Sequence, residues 1–173
     1  KIPLLVMLHG RFGTAKLMLE GYNMNTIADR EGFAVVYPNG YNRSWADGRG
    51  GTPADKDKID DVKFLETVIQ RIYTNYPIDK SKVFIAGHSN GGFMTQRMLI
   101  EKTNLFRAGA SVTAYISKNV LEKFSPDKAV SVAFLSGTED PLVPFEGGFV
   151  VDGEEILGAD DSVKRWVEWN ECK

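Results

Sequence analysis

The sequence contains one cysteine, two histidines and no hydrophobic run long enough to cross a membrane. Cys172 forms no disulfide within the chain and no cysteine-based metal cage, because both need further cysteines. The apolar run at Ile2–Leu8 is far shorter than the roughly 20 residues of a membrane span. A net charge of −2 gives no basic surface for nucleic acid or for an anionic membrane. We therefore expect no nucleic-acid partner and no membrane span.

The hydrophobic content of the chain suffices for the core of one folded domain. The chain has 173 residues, of which 43% are hydrophobic and 11% aromatic, and this length suits a single domain. No repeat, linker or low-complexity tract divides it, so we predict one domain over residues 1–173. The chain opens directly into a strand-like segment and closes after a helix-like one. We expect an incomplete part of a longer protein, truncated at both ends, in which a signal peptide would not be visible.

Short apolar runs alternate with helical patterns along the chain. Strands are predicted at residues 2–8, 33–37, 83–86, 108–113 and 130–135. Helical segments are predicted at residues 14–30, 61–75, 91–102 and 162–172, with Asp60 as a plausible N-cap of the second. Strands that alternate with helices need crossover connections. The pattern therefore predicts an α/β fold with a mostly parallel sheet and helices on both faces.

The strongest chemical signal is the sequence Gly87-His88-Ser89-Asn90-Gly91, directly after a predicted strand and before a predicted helix. A Gly-x-Ser-x-Gly sequence in this context is typical of a nucleophile elbow, in which a tight turn exposes the serine hydroxyl. The following helix directs its positive N-terminus at a developing oxyanion. We predict Ser89 as the nucleophile; the alternative is an ordinary glycine-rich turn.

An oxyanion hole for Ser89 needs two N–H donors. One is expected from Asn90, the residue after the nucleophile, and the other from the loop after an earlier strand. The loop after His9-Gly10 is well placed, and we choose Arg11 as its donor. Alone, His-Gly is a weak signal of this role, and a plain turn at a strand end is the alternative.

The acid of the catalytic triad is expected after the fifth predicted strand, because the chain order in this type of site is serine, acid, histidine. Asp140 lies there, before Pro141, and would orient and stabilise an imidazolium. Glu139 is the competing acid, and a solvated acidic turn is the alternative without a catalytic role.

No residue of the sequence fits the role of the general base that would activate Ser89. The only histidines are His9 and His88. His88 adjoins Ser89 and leaves the elbow in another direction, while His9 precedes the serine in the presumed oxyanion loop. Because this serine chemistry needs a base, we expect the catalytic histidine beyond Lys173.

The loop at residues 41–51 is long, polar and rich in glycine, with two aromatic residues. Binding loops have this composition, and so do ordinary surface loops. The loop has no apolar periodicity of the kind that indicates a buried residue. We therefore predict that Trp45 lines the substrate cleft. Tyr41 in the same loop and His88 in the elbow are predicted to line it as well.

Two further patterns argue against cofactors. The glycines of residues 48–51 lack the Lys-Ser/Thr ending of a phosphate-binding loop. The acidic residues at 55–61 lack a ligand at Ile59 and the glycine of a calcium loop, and lysines alternate with them. We predict no cofactor and no metal.

The motifs together resemble the secreted polyhydroxybutyrate-depolymerase-like esterases, a family that also holds feruloyl and acetylxylan esterases. The matching stretches lie at residues 8–15, 37–40, 44–49, 60–65, 87–92, 137–148 and 163–172. The resemblance implies an α/β-hydrolase fold, serine esterase chemistry without a cofactor, Ser89 as nucleophile and Asp140 as acid. It also implies a catalytic histidine after the final helix, in a Gly-His-x-Trp-Pro-like segment. The implied substrate is a polyester or an acylated plant polysaccharide, and the implied location is extracellular.

Two other functions remain open from the sequence. A peptidase or amidase on the same fold would use the same residues and differ in its activity on peptides and aryl esters. A non-catalytic α/β-hydrolase module would bind ligands and fail to react with a serine-directed phosphonate.

Overall fold

The computed structural model describes residues 1–151 and 155–172, and its main feature is a parallel sheet. The strands are β1 (Ile2–Leu8), β2 (Ala34–Val36), β3 (Ile78–His88), β4 (Ala108–Val112) and β5 (Ser131–Leu135). They lie in the order β2-β1-β3-β4-β5, and every neighbouring pair is parallel. This arrangement confirms the predicted α/β class.

Helices connect the strands, as parallel pairing requires. They are α1 (Ala15–Tyr22), α2 (Met24–Glu31), α3 (Pro53–Lys56), α4 (Asp61–Asn75), α5 (Asn90–Glu101), α6 (Lys118–Lys123) and α7 (Ala159–Trp169). The helical segment predicted at residues 14–30 is two helices, because Asn23 between them has the left-handed φ of 48°. The short α3 and α6 were not predicted from the sequence.

A small antiparallel pair, β6 (Gly148–Phe149) and β7 (Glu155–Ile156), follows the main sheet. This pair was not predicted from the sequence, because two residues are too few for a readable alternation of polar and apolar side chains.

Side chains decide where the helices begin. The Asp60 carboxylate accepts a hydrogen bond from the N–H of Lys63 at 2.9 Å, so it caps α4 as predicted. The Thr14 hydroxyl accepts from the N–H of Leu17 at 3.2 Å and caps α1. Each cap satisfies one of the N–H groups that a helix start leaves without an intrahelical partner.

One face of the sheet forms the main core. The cluster includes Leu4, Val6 and Leu8 of β1, Val83 and Ile85 of β3, Leu65 and Ile69 of α4, Met94, Met98 and Leu99 of α5, and Trp166 of α7. Alternate residues of a strand point to opposite faces, so these strand residues all face α4, α5 and α7. Burial of this surface fixes where β1 and β3 end, and the candidate site lies at those ends.

The other face is covered unevenly. Met7 of β1 is buried on that side, and α1 and α2 contact β1 and β2. Along β5, at the edge of the sheet, Ser131, Ala133 and Leu135 are exposed. The sheet is therefore well covered around β1 and open near β5.

Among residues 1–151 and 155–172, no helix has the length and apolar character needed to cross a membrane.

Candidate active site

Ser89 occupies a strained turn between β3 and α5. Its φ is 53° and its ψ is −119°, a conformation that costs about 1–3 kcal/mol. The surrounding backbone enforces it: the N–H of Ser89 donates to the Val112 carbonyl at 2.9 Å, and the Ser89 carbonyl accepts from Phe93 at 2.9 Å. This is the strand–turn–helix geometry expected of a nucleophile elbow.

The two glycines of the motif permit backbone approaches that no other residue would allow. A Cβ on Gly87 would overlap the carbonyl group of Gly91. A Cβ on Gly91 would lie 2.5 Å from the His9 carbonyl oxygen, at the end of β1. Glycine is therefore required at both positions for the start of α5 to pack against β1 and β3.

Asn90 is the first residue of α5, a helix of 12 residues. Its backbone N–H has no intrahelical acceptor, because the first N–H groups of a helix lack one. The positive end of the helix dipole adds to the field at this point. The Asn90 side chain is buried and directed away from solvent, into contacts with residues 45–47.

The loop after β1 lies directly beside the elbow. A Cβ built on Gly10 would be 3.5 Å from Cβ of Ser89 and 3.1 Å from Nδ1 of His88. The N–H of Phe12 donates to the Arg43 carbonyl at 2.9 Å, which fixes the loop on its outer side. The two predicted sources of oxyanion donors are thus adjacent.

Asp140 lies in the turn that follows β5. Its Oδ1 accepts hydrogen bonds from the N–H groups of Leu142 at 2.8 Å and Val143 at 3.0 Å. Asp140 is half-buried, whereas Glu139 is exposed to solvent. The Asp140 charge acts on His88, where it opposes the lowering of the pKa by burial. Its turn therefore borders the same space as the elbow.

The two histidines differ in their surroundings. His9 is buried; its Nε2 accepts from the N–H of Gly40 at 3.0 Å, and its Nδ1 lies 2.8 Å from the Gly10 carbonyl oxygen. Nδ1 is therefore the protonated nitrogen, and burial lowers the pKa of the ring. Among the hydrogen bonds of the described residues, none joins the ring of His9 or His88 to Ser89 or Asp140. His9 thus supports the loop after β1.

A cavity of about 420 Å³ opens at Ser89. Its walls comprise Gly10, Arg11, Phe12, Arg49, His88, Ser89, Asn90, Phe93, Leu142, Val143, Val150 and Val151. Half of these are apolar side chains, and two of the polar ones, His88 and Asn90, adjoin Ser89 in the chain. A cleft of this size, with an apolar wall and few polar groups, is typical of a small-molecule site.

The prediction that Trp45 lines the cleft is wrong. Its exposed fraction is 0%, and it belongs to the main core. The polar loop still buries it, because its indole N–H donates to the His9 carbonyl at 2.8 Å and its ring lies 4.9 Å from that of His9. Tyr41 is exposed, lies outside the residues that line the cavity, and interacts with Asp57, which raises the pKa of its hydroxyl.

Arg49 was not predicted from the sequence as a residue of the site. Its guanidinium lies 2.8 Å from the fully buried Asp47 carboxylate, is 4.0 Å from the ring centre of Phe93, and lines the cavity. The only available signal was the acid–base pair two residues apart in the glycine-rich loop, and such pairs are common on surfaces.

A comparison with family models identifies the family of the chain. A family model, that of the prolyl oligopeptidase family (Peptidase_S9), matches residues 20–125. That range contains the elbow, α4, α5 and the loop that buries Trp45.

Curated relatives are named as esterases. Feruloyl esterase B of Piromyces equi is 27% identical over 180 residues, covering 98% of this chain and 33% of the relative. The acetylxylan esterase of Coprinopsis cinerea is 32% identical over 136 residues, covering 74% of this chain and 36% of the relative. These relatives confirm the resemblance to feruloyl and acetylxylan esterases; the chain spans about a third of their lengths.

Solved structures share the fold. The crystal structure of a thermostable esterase superposes with a TM-score of 0.71 at 21% identity, covering 97% of this chain and 44% of that one. The structure of Arabidopsis thaliana SOBER1 gives a TM-score of 0.63 at 20% identity, covering 84% of this chain and 79% of that one. At these identities the likeness establishes the α/β-hydrolase fold.

Proposed function

Because the chain belongs to the prolyl oligopeptidase family, we propose that the protein containing it is a serine hydrolase that cleaves carboxylic esters, with Ser89 as its nucleophile. The observation that carries the proposal is the strained φ of 53° at Ser89, between a helix start and the loop after β1. Backbone strain of this kind persists where the surrounding structure enforces it and is typical of reactive sites.

In the proposed reaction the Ser89 hydroxyl oxygen attacks the ester carbonyl carbon and gives its proton to a histidine. The carbonyl oxygen becomes an oxyanion, which accepts hydrogen bonds from the backbone N–H groups of Asn90 and Arg11. The C–O bond then breaks, and the alcohol leaves with the proton from the histidine. Water repeats the sequence on the acyl-enzyme, releasing the acid and restoring Ser89.

The base of this mechanism is proposed to lie beyond Lys173, as the sequence predicted. Both histidines of the chain have other surroundings: His9 is hydrogen-bonded to Gly10 and Gly40, and among the described residues no hydrogen bond joins the ring of His88 to Ser89 or Asp140. Asp140 is the proposed orienting carboxylate, because its turn borders the cavity and its Oδ1 is already oriented by two backbone N–H groups.

The cavity favours an apolar acyl group. Six of its lining residues are apolar, and two of these, Phe12 and Phe93, are aromatic. Relatives named feruloyl esterase and acetylxylan esterase support acylated plant polysaccharide as the substrate class, with polyester as the other class implied by the resemblance. We also propose that the protein acts outside the cell.

Amide hydrolysis is the second candidate, because the matching family model is described as that of a peptidase family. The same nucleophile and oxyanion donors would serve both reactions. The curated relatives, which are named as esterases, favour ester hydrolysis.

The test uses the full-length protein that contains this chain. It is assayed with 4-nitrophenyl acetate, methyl ferulate and a 4-nitroanilide peptide, beside its Ser89→Ala variant. Ester turnover that disappears in the variant supports the proposal. Turnover of the peptide alone establishes the amidase, and failure to cleave any of the three overturns both.

A further inference from the structure

The two sources of oxyanion donors come from different parts of the chain and need a physical link. Arg11 follows β1, and Asn90 begins α5. Residues 40–47, here called the connecting segment, lie between them and contribute buried polar groups to both. Its contacts form a continuous series of hydrogen bonds from one donor loop to the other.

On the loop side, three hydrogen bonds join the connecting segment to the residues around Arg11. The indole N–H of Trp45 donates to the His9 carbonyl at 2.8 Å, and the N–H of Gly40 donates to His9 Nε2 at 3.0 Å. The N–H of Phe12 donates to the Arg43 carbonyl at 2.9 Å. His9 and Phe12 are close neighbours of Arg11 in the chain, so these bonds fix the path of the loop.

On the elbow side, the Asn90 carboxamide makes three hydrogen bonds to the same segment. Its Oδ1 accepts from the N–H of Trp45 at 2.8 Å, and its Nδ2 donates to the Trp45 carbonyl at 3.1 Å. Nδ2 also donates to Oδ2 of Asp47 at 2.5 Å. The side chain of Asn90 thus has its main donor and acceptor groups engaged, which fixes the orientation of its own backbone N–H.

Asp47 acts in this network as a buried carboxylate. Burial raises its pKa, and Arg49 opposes that rise. Its carboxylate accepts hydrogen bonds from Nδ2 of Asn90, the backbone N–H of Arg49 and the Arg49 guanidinium, while the charge of Asp55 adds to the rise in its pKa. Acceptance of these hydrogen bonds opposes the effect of burial on the carboxylate.

We infer that Trp45 and Asp47 are positioning residues for the oxyanion hole, which they fix by joining the His9–Arg11 loop to Asn90. This inference rests on the proposed function and adds a role for two residues that line no part of the cavity. Donors act on an oxyanion only within a narrow range of distance, and a displacement of about 1 Å at a reacting centre costs on the order of 10² in rate. A set of hydrogen bonds that fixes both donors relative to each other therefore stabilises the transition state.

The chain offers a matched pair of variants for the test. Trp45 and Trp166 are both buried in the main core, and each indole N–H makes one hydrogen bond of 2.8 Å, to the His9 carbonyl and to Oε1 of Gln96 respectively. Replacement of either by phenylalanine keeps an aromatic ring and removes that bond. Only Trp45 contacts the proposed oxyanion loop.

Both variants are made in the full-length protein and assayed with an aryl ester. For Trp45→Phe, kcat should fall by about tenfold to a hundredfold with KM within about twofold, the pattern of an interaction made in the transition state. Affinity for a boronic acid that forms a tetrahedral adduct with the serine should fall by a similar factor. Trp166→Phe should lower the melting temperature and leave kcat and boronate affinity near those of the wild type.

Asn90→Ala gives a second variant in case Trp45→Phe does not fold. It keeps the backbone N–H and removes the side-chain bonds to the connecting segment, so kcat should fall while KM changes little. Equal kcat in the two tryptophan variants, or an unchanged kcat in Asn90→Ala, overturns the inference. A wild type that neither turns over esters nor reacts with a fluorophosphonate overturns the proposed function and this inference with it.

Discussion

The serine side and the acid side of the candidate site are built in different ways. Ser89 lies in a backbone that is fixed by close glycine contacts, a helix start and buried hydrogen bonds. Asp140 follows an edge strand whose outer residues are exposed, and Ser136 to Glu139 before it are exposed as well. A Cβ on Gly137 would meet nothing within 4 Å.

This difference separates two requirements of the proposed reaction. The oxyanion donors act on charge that develops at one point, so they must be fixed before the substrate arrives. The acid orients a histidine and stabilises its charge, and that role tolerates a less enclosed position. We therefore expect substitutions that disturb the packed backbone of the serine side to affect folding and catalysis together, and those on the acid side to affect catalysis alone.

Replacement of the nucleophile should have the largest effect. Ser89→Ala in the full-length protein should lower ester turnover by about 10⁶-fold, as the loss of a triad serine does. The melting temperature should change little, because no side-chain hydrogen bond of Ser89 to another described residue contributes to the fold. Turnover at the wild-type level would exclude Ser89 as the nucleophile.

Removal of the acid should have the next largest effect. Asp140→Asn should lower turnover by about 10⁴-fold with stability maintained, because the asparagine oxygen still accepts from Leu142 and Val143. Glu139→Gln is the control and should be near neutral, since Glu139 is exposed. The opposite pattern would identify Glu139 as the acid.

Two glycine substitutions test whether the backbone is packed more tightly on the serine side than on the acid side. In Gly91→Ala the new Cβ would lie 2.5 Å from the His9 carbonyl oxygen, so the free energy of unfolding should fall by about 3 kcal/mol. In Gly137→Ala the space is open and φ is not positive, so stability should be equal or higher by up to about 1 kcal/mol. Chemical denaturation measures both; equal losses would contradict the difference between the two sides.

The sequence predicted the parts of this molecule that depend on local pattern. Continuous apolar runs located β1 and the part of β3 at residues 83–86, and the Gly-x-Ser-x-Gly motif located Ser89, because burial and a tight turn both leave a signature in neighbouring residues. The burial of Trp45 depends on the carbonyl of His9, 36 residues away, and on the amide of Asn90, 45 residues away. No local pattern carries such contacts, so the polar, glycine-rich sequence of the loop predicts a cleft wall where the structure has a buried tryptophan.

The smallest expected effect is a pH dependence of stability that arises on the serine side. Burial lowers the pKa of His9 in the folded chain, so its contribution to stability is fully present above the unfolded pKa of about 6.5 and is lost as pH falls below it. His9→Asn keeps a donor for the Gly10 carbonyl and removes the titration. The difference in free energy of unfolding between the wild type and this variant, measured by chemical denaturation, should be smaller at pH 5 than at pH 7.5. A difference that is independent of pH would contradict this assignment.

The most direct test of the central claim is to identify the residue that reacts with a serine-directed reagent. The full-length protein is treated with a fluorophosphonate, digested and analysed by mass spectrometry, beside the Ser89→Ala variant. We predict one adduct, on Ser89 in the peptide that joins β3 to α5, and none in the variant. An unlabelled wild type, or an adduct that persists when Ser89 is replaced, would contradict the account.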